Sequence, residues 1–156
     1  MTLTDARDFP ETEPSFRKSD WPFYWITQAS ARYMQVMEKS LKPMGVSHVE
    51  WRVLMSLYEG EALSVSEISG FCIIKLNTTT KIIQRMTAEG LVTCRPRKTD
   101  GRVTEVRITE KGNRLRREAR AEADRIFASA FATFSTGDIN TMNHLLEQVF
   151  DNLKAE

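Results

Sequence analysis

Between Lys75 and Arg102 the chain places seven basic side chains (Lys75, Lys81, Arg85, Arg95, Arg97, Lys98 and Arg102) against two acidic ones (Glu89 and Asp100), a net +5. The whole 156-residue chain carries +1, so the remainder is left with −4. Guanidinium and ammonium groups gathered in this way suit a polyanion, because each forms charge-assisted hydrogen bonds to phosphate oxygens. A solvated basic face without a partner has the same composition, and charge alone leaves both readings open. The residues between the charges sharpen the chemistry. Thr78, Thr80, Lys81, Gln84 and Arg85 fall at helical spacing and combine hydroxyl, amide and basic groups, the types that reach phosphates and base edges.

A second chemistry is suggested by aromatic residues. Trp21, Phe23, Tyr24, Trp25, Tyr33 and Trp51 are six of the chain's fourteen aromatics, and they fall close together with Gln28, Ser30, His48 and Arg52. Such rings can stack on an aromatic ligand. Arg52, His48 or Arg17 can meet a carboxylate, and the Gln28 amide can add a neutral hydrogen bond. The same aromatics serve equally well as helix-packing core, with Arg52 in a buried salt bridge, and the sequence does not choose between the two.

Other chemistries find little support. His48, Cys72, Cys94 and His144 are scattered singly, so no metal site and no cofactor is expected. Cys72 and Cys94 lack CxxC spacing and read as reduced thiols, leaving a redox-sensing role as an alternative. No nucleophile elbow, P-loop or dinucleotide fingerprint is present, and an enzyme is not expected. No apolar run approaches the roughly 18 residues of a membrane span, and the acidic, proline-containing N-terminus lacks a signal-peptide pattern. A cytoplasmic protein is therefore expected.

The elements that must position these groups can be read in order. Residues 1–20, rich in Pro, Asp and Glu, are expected to form a mobile arm without core. In 21–46, Phe23, Ile26, Tyr33, Met37, Leu41 and Met44 have the spacing of an amphipathic helix that ends near Lys42-Pro43 and Gly45. Ser47 then caps a second helix, with Trp51, Leu54, Leu57 and Tyr58 on one face, stopped by Glu59-Gly60. Leu63 to Val65 is a short β-type piece. Ser64 or Ser66 caps a brief helix that Gly70 ends, with Glu67 placed for a capping box on Ser64. Asn77 is expected to cap the next helix, which turns Thr79, Ile82, Ile83 and Met86 inward and closes at Gly90.

Two short helices followed by a hairpin form a winged helix-turn-helix pattern over 47–109. The strands are Leu91 to Arg97 and Arg102 to Thr109, and Asp100-Gly101 is the turn signal between them. Arg97, Lys98 and Arg102 lie at the wing tip, able to reach phosphates, and Arg102 is suited to a minor groove. Over 110–156, a long helix to about Phe134 carries Leu115, Ala119, Ile126, Phe127, Ala130 and Phe134 on one side. A last helix, begun by Ser135 or Thr136, carries Ile139, Met142, Leu146, Val149 or Phe150, and Leu153. So much apolar surface on terminal helices calls for a partner, and a second copy is the simplest. The expected class is α+β, mainly α, with long N- and C-terminal dimerisation helices around a DNA-reading unit. A protein-interaction winged helix is the alternative, but it would be expected to present a more apolar outer face than Thr78 to Arg85 offers.

The stretches WRVLMSLYEGEALSVSEISGF and NTTTKIIQRMTAEGLVTCRPRKTDGRVTEVRITEKG resemble the MarR family of bacterial transcription regulators, and the likeness extends over nearly the whole chain. Its most specific parts are the Glu-Gly-Leu-Val turn after the recognition helix, Asp100-Gly101-Arg102 at the wing tip and the Thr-Glu-Lys-Gly start of the next helix. The resemblance implies a homodimer on a pseudo-palindromic double-stranded DNA operator, usually as a repressor. It implies that Asn77, Thr78, Thr80, Lys81, Gln84 and Arg85 face the major groove. Arg102, held by Asp100, would enter the minor groove, with Arg95 and Arg97 on phosphates. It further implies a pocket between the first helices and the reading unit for a small effector, often an aromatic carboxylate or phenol. Trp25, Gln28, Tyr33, His48, Trp51, Arg52 and Arg17 are its candidate contacts here. The run PFYWITQASARYMQVME followed by WRVL is similar to regulators of aromatic-acid breakdown, with indoleacetate among the ligands this suggests.

Overall fold

The computed structural model describes residues 17–58 and 62–154. Most of the arm expected over residues 1–20, and the Glu59-Gly60 stop, lie outside them. Among the described residues, six α-helices and a small antiparallel sheet follow one another as α1 (Pro22–Leu41), α2 (His48–Ser56), β1 (Leu63–Ser64), α3 (Val65–Cys72), α4 (Leu76–Ala88), β2 (Val92–Pro96), β3 (Thr104–Ile108), α5 (Glu110–Ala130) and α6 (Thr136–Leu153). The sheet order is β1-β3-β2, with Leu63 opposite Val106 and Cys94 opposite Val106 on the other side.

Local chemistry sets most boundaries. Pro22 opens α1, where its missing N–H costs nothing, and Gly45 at φ 69° turns the chain after a single 3-10 turn. Ser47 and Glu50 cap α2 reciprocally, as Ser64 and Glu67 cap α3 and Ser135 and Asp138 cap α6. Thr109 caps α5 and also donates its hydroxyl to the Gly90 carbonyl, fastening the start of α5 to the turn after α4.

Several sequence expectations are corrected. Gly70 does not end α3, which runs to Cys72 and closes with Ile73 in the left-handed region at φ 50°. Val65 is the first residue of α3 rather than part of a strand, because Ser64 takes the cap. Asn77 is not the cap of α4: the helix starts one residue before it, and its side chain accepts from the Thr78 N–H at 2.8 Å inside the first turn. Tyr58 is half exposed rather than inward, lying under the Arg116 guanidinium 4.6 Å from its ring centre. Helix α5 stops at Ala130, and Phe131 and Phe134 belong to the turn before α6, packed edge to face.

The buried side chains form two clusters. Val53, Leu54, Leu57, Ile68, Ile83, Met86, Val92 and Val106 knit α2, α3, α4 and the sheet into one core. Met37, Leu41, Val46, Trp51, Ala119 and Ile126 join α1, α2 and α5 into the other. Leu115 packs against both, and α2 contributes to both. Helix α6 has no buried residue, and Leu145, Leu146, Phe150 and Leu153 on it stay exposed.

Candidate nucleic-acid interface and effector cavity

Helix α4 packs through Thr79, Ile82, Ile83 and Met86, which orients its other face outward. Asn77, Thr78, Thr80, Lys81, Gln84 and Arg85 are all exposed on that face. The Thr80 hydroxyl donates its proton to the Leu76 carbonyl at 3.0 Å, so what it offers outward is a lone pair and a methyl group. Arg85 is partly committed. Its Nε donates at 2.9 Å to Glu50, whose side chain is 6% exposed, so its terminal nitrogens are what remain for an outside acceptor.

The wing extends beyond β2 and β3. At its tip Arg102 is 92% exposed, and its backbone and Nε both donate to Asp100 Oδ1, at 3.1 and 3.2 Å. The carboxylate thus aims the guanidinium outward from the hairpin. Arg95 and Lys98 are exposed, whereas Arg97 turns back to Glu67 on α3 at 3.1 Å. The Ser64 backbone N–H chiefly, with help from Arg97, holds the Glu67 carboxyl below its usual range. Helices α3 and α4 joined by a short turn, with the polar face of α4 outward and a basic β-hairpin following, make a winged helix-turn-helix.

On the opposite side of α2 lies a cavity of about 950 Å³, walled by α2 and α5 and reached by Tyr33 from the middle of α1 and by the end of α3. Trp51, Met55, Phe71, Ile126, Phe127 and Phe131 make it largely apolar, and His48, Arg52, Arg120 and Asp124 bring polar groups to it. Tyr33 also lines it, edge to face with His48 at 5.8 Å. Of the candidate contacts, Tyr33, His48, Trp51 and Arg52 come together here. Trp25, Gln28 and Arg17 do not line it. Trp25 donates its indole N–H to the Ser19 carbonyl, and all three are exposed. Sequence reading placed Ile126, Phe127 and Ala130 on one side of the long helix but did not assign them to a cavity. The available signal was the pairing of Phe127 and Phe131 one turn apart, with Arg120 and Asp124 likewise one turn apart and ion-paired at 2.7 Å.

Burial pushes the His48 imidazole below its ordinary value of 6.5, and Arg52 adds to the shift while Glu38 opposes it. The folded protein therefore binds this proton less readily than the unfolded chain. The contribution to stability is present above pH 6.5 and is lost as the pH falls below it. The melting temperature should drop less between pH 7.5 and 5.5 in His48→Gln than in the wild type, and equal drops would exclude His48 as a source of the pH dependence. Burial pushes the Cys72 thiol up, which disfavours the thiolate needed for redox sensing, while Cys94 is exposed beside Thr87. Among the described residues no group of three or more His, Cys, Asp and Glu could hold a metal, and no helix is long and apolar enough to cross a membrane.

The fold and its outward-facing side chains define a winged helix-turn-helix protein. The MarR family model matches residues 46–104, and the chain is 42% identical over 140 residues to the HTH-type transcriptional repressor IacR of Pseudomonas putida, covering 90% of this chain and 84% of that protein. The chain belongs to the MarR family. It is also 23% identical over 123 residues to the homoprotocatechuate degradative operon repressor of Escherichia coli, covering 79% of this chain and 83% of that one. Among solved structures, CouR of Rhodococcus jostii, bound to p-coumaroyl-CoA, superposes with a TM-score of 0.80 at 20% identity, covering 86% of this chain and 95% of that one. Bordetella bronchiseptica BpsR, whose DNA binding is regulated by 6-hydroxynicotinic acid, gives 0.78 at 20% identity over 88% and 99%. At such identities these two structures establish the shared fold.

Proposed function

We propose that this protein is a homodimeric repressor that binds a pseudo-palindromic operator and leaves it when a small aromatic carboxylate occupies the cavity between α2 and α5. The observation that carries this reading is the cavity itself. It pairs an aromatic and aliphatic lining with His48 and Arg52 one helical turn apart, on the helix that also anchors the recognition helix through Glu50. The apolar wall holds a ring and the guanidinium meets a carboxylate. The likeness to IacR and to the homoprotocatechuate operon repressor supports the same ligand class, with indoleacetate the first acid to try.

In this reading residues 47–109 read DNA, while residues 21–46 and 110–156 hold the two copies together. The exposed side chains Trp25, Phe127, Leu146, Phe150 and Leu153 support that assignment. Two copies place two α4 helices in successive major grooves, with Asn77, Thr78, Thr80, Lys81, Gln84 and Arg85 at base edges and backbone. Arg95, Arg97, Lys98 and Asp100-anchored Arg102 lie along the flanking backbone and minor groove. A ligand favouring the spacing that cannot span both grooves lowers operator affinity by a coupling of about 1–3 kcal/mol. The test is a thermal-shift screen with indoleacetate, hydroxycinnamates, salicylate and benzoates, then operator binding with any hit. An acid that raises the melting temperature and weakens DNA binding is the expected result. Tight DNA binding with no shift by any acid would return the cavity aromatics to a packing role.

A further inference from the structure

We propose that Arg52 is the positioning residue through which an anion in the cavity reaches the recognition helix. Its guanidinium holds the Cys72 carbonyl at the end of α3, and a bound carboxylate draws it away. This rests on the ligand reading above and adds the path by which occupancy becomes a change at α4.

The turn between α3 and α4 is held at few points. The Ile73 N–H closes α3 on the Gly70 carbonyl, and the Ile74 N–H donates to the Ser69 carbonyl at 3.1 Å. The Ser69 hydroxyl donates to the Ile74 carbonyl. The Cys72 carbonyl is among those a helix end leaves without an internal partner, and it receives Arg52 Nη2 at 2.5 Å, across twenty residues of chain. Immediately after it, Ile73 sits at φ 50°, a left-handed conformation that a β-branched residue rarely adopts and that its surroundings must hold in place. Ile73 is 69% exposed, so core packing does little to hold it. Three residues later α4 begins, and its cap residue Lys75 makes no side-chain cap bond. The direction in which α4 sets out is therefore set by this turn together with the seating of Ile74 on the core and of fully buried Thr79. Asn77, Thr78 and Thr80, on its first turn and a half, move with it.

Arg52 stands in both places. It lines the cavity, as do Phe71 and Cys72 of the same turn. A carboxylate offers two charged acceptors in the geometry of the guanidinium fork, a stronger partner than one neutral carbonyl. Once Arg52 turns to it, the Cys72 carbonyl loses its partner and Ile73 loses a restraint. The far half of α4 stays tied, because Arg85 remains on buried Glu50 of the same helix as Arg52. Release at one end with anchorage at the other swings the base-reading end of α4.

The experiment compares wild type, Arg52→Gln, Arg52→Lys and the double variant Arg52→Gln/Ile73→Gly in operator binding without ligand and in amide hydrogen exchange over residues 73–78. Arg52→Gln should bind the operator at least tenfold more weakly and exchange faster at 73–78. Arg52→Lys, which keeps one charged donor for the carbonyl, should recover most of the affinity. Glycine at position 73 accepts the left-handed conformation without help, so the double variant should regain operator binding while ignoring indoleacetate and benzoate. This rescue separates positioning from a general loss of folding. Wild-type affinity and unchanged exchange in Arg52→Gln, or no rescue by Ile73→Gly, would overturn the proposal. Indoleacetate that binds wild type without altering exchange at 73–78 would overturn the coupling and leave the ligand reading standing. If no acid binds but Arg52→Gln still loses the operator, the ligand reading fails and the anion-driven step falls with it, leaving only the structural hold.

Discussion

Gly112→Ala is expected to lower the melting temperature by about 10 °C or to prevent folding. A Cβ built on Gly112 would stand 2.2 Å from the Leu91 carbonyl oxygen and 2.8 Å from Ile108 Cγ1. Neither neighbour can yield easily. The Leu91 carbonyl accepts from the Thr109 N–H and its hydroxyl, and Ile108 ends β3 in register with Val92. Overpacking of a tight site costs about 1–3 kcal/mol and more where backbone must move, and each kcal/mol is worth about 2–4 °C in a chain of this size. Gly70→Ala is the matching control. A Cβ there meets nothing within 4 Å in a helix, and the substitution should be neutral or slightly stabilising. A melting temperature for Gly112→Ala within 2 °C of wild type would show that the approach of α5 to β2 is looser than described.

Arg102→Ala is expected to weaken binding to every DNA sequence by about tenfold or more and to flatten the salt dependence. Arg102 is the most exposed of the wing arginines in ion pairs, and its Nε rests on Asp100 while the rest of the guanidinium stays open to solvent. The proposed dimer would carry two such groups, so the slope of log affinity against log salt should fall by about two. Thr80→Ala and Gln84→Ala should instead shift base preference and leave the slope nearly intact. Filter binding or fluorescence anisotropy over a salt series, with operator and scrambled duplexes, separates the two classes. Should Arg102→Ala leave affinity and slope alike unchanged, the wing does not lie against DNA.

The features legible in the sequence were those set by neighbouring residues. Ser64 with Glu67, the inward set Thr79, Ile82, Ile83 and Met86, and Gly90 at φ 75° after α4 all follow from spacings of three or four residues. What escaped sequence reading depends on contacts across the chain. Arg85 and Arg97 read as free cations, yet Glu50 and Glu67, 35 and 30 residues away, each hold one of them. Trp25 and Tyr33 look like neighbours in the aromatic run, but a helix rises about 1.5 Å per residue, and eight residues carry Trp25 beyond the reach of the cavity. Cys72 rather than Gly70 ends α3 because Ser69 and Arg52 supply the bonds that make a left-handed isoleucine tolerable, and no local rule assigns that conformation to isoleucine.

The two buried clusters meet along α2 and at Leu115. The first turn of α5 also crosses that seam, bonded through Thr109 to the carbonyls of Gly90 and Leu91 and pressed on Leu91 at Gly112. The start of α5 and the whole of α2 are therefore the stem that joins the reading unit to the rest of the protein. Hydrogen exchange should accordingly divide the protein into two blocks of differing protection, with the amides of α2 belonging to whichever block opens last.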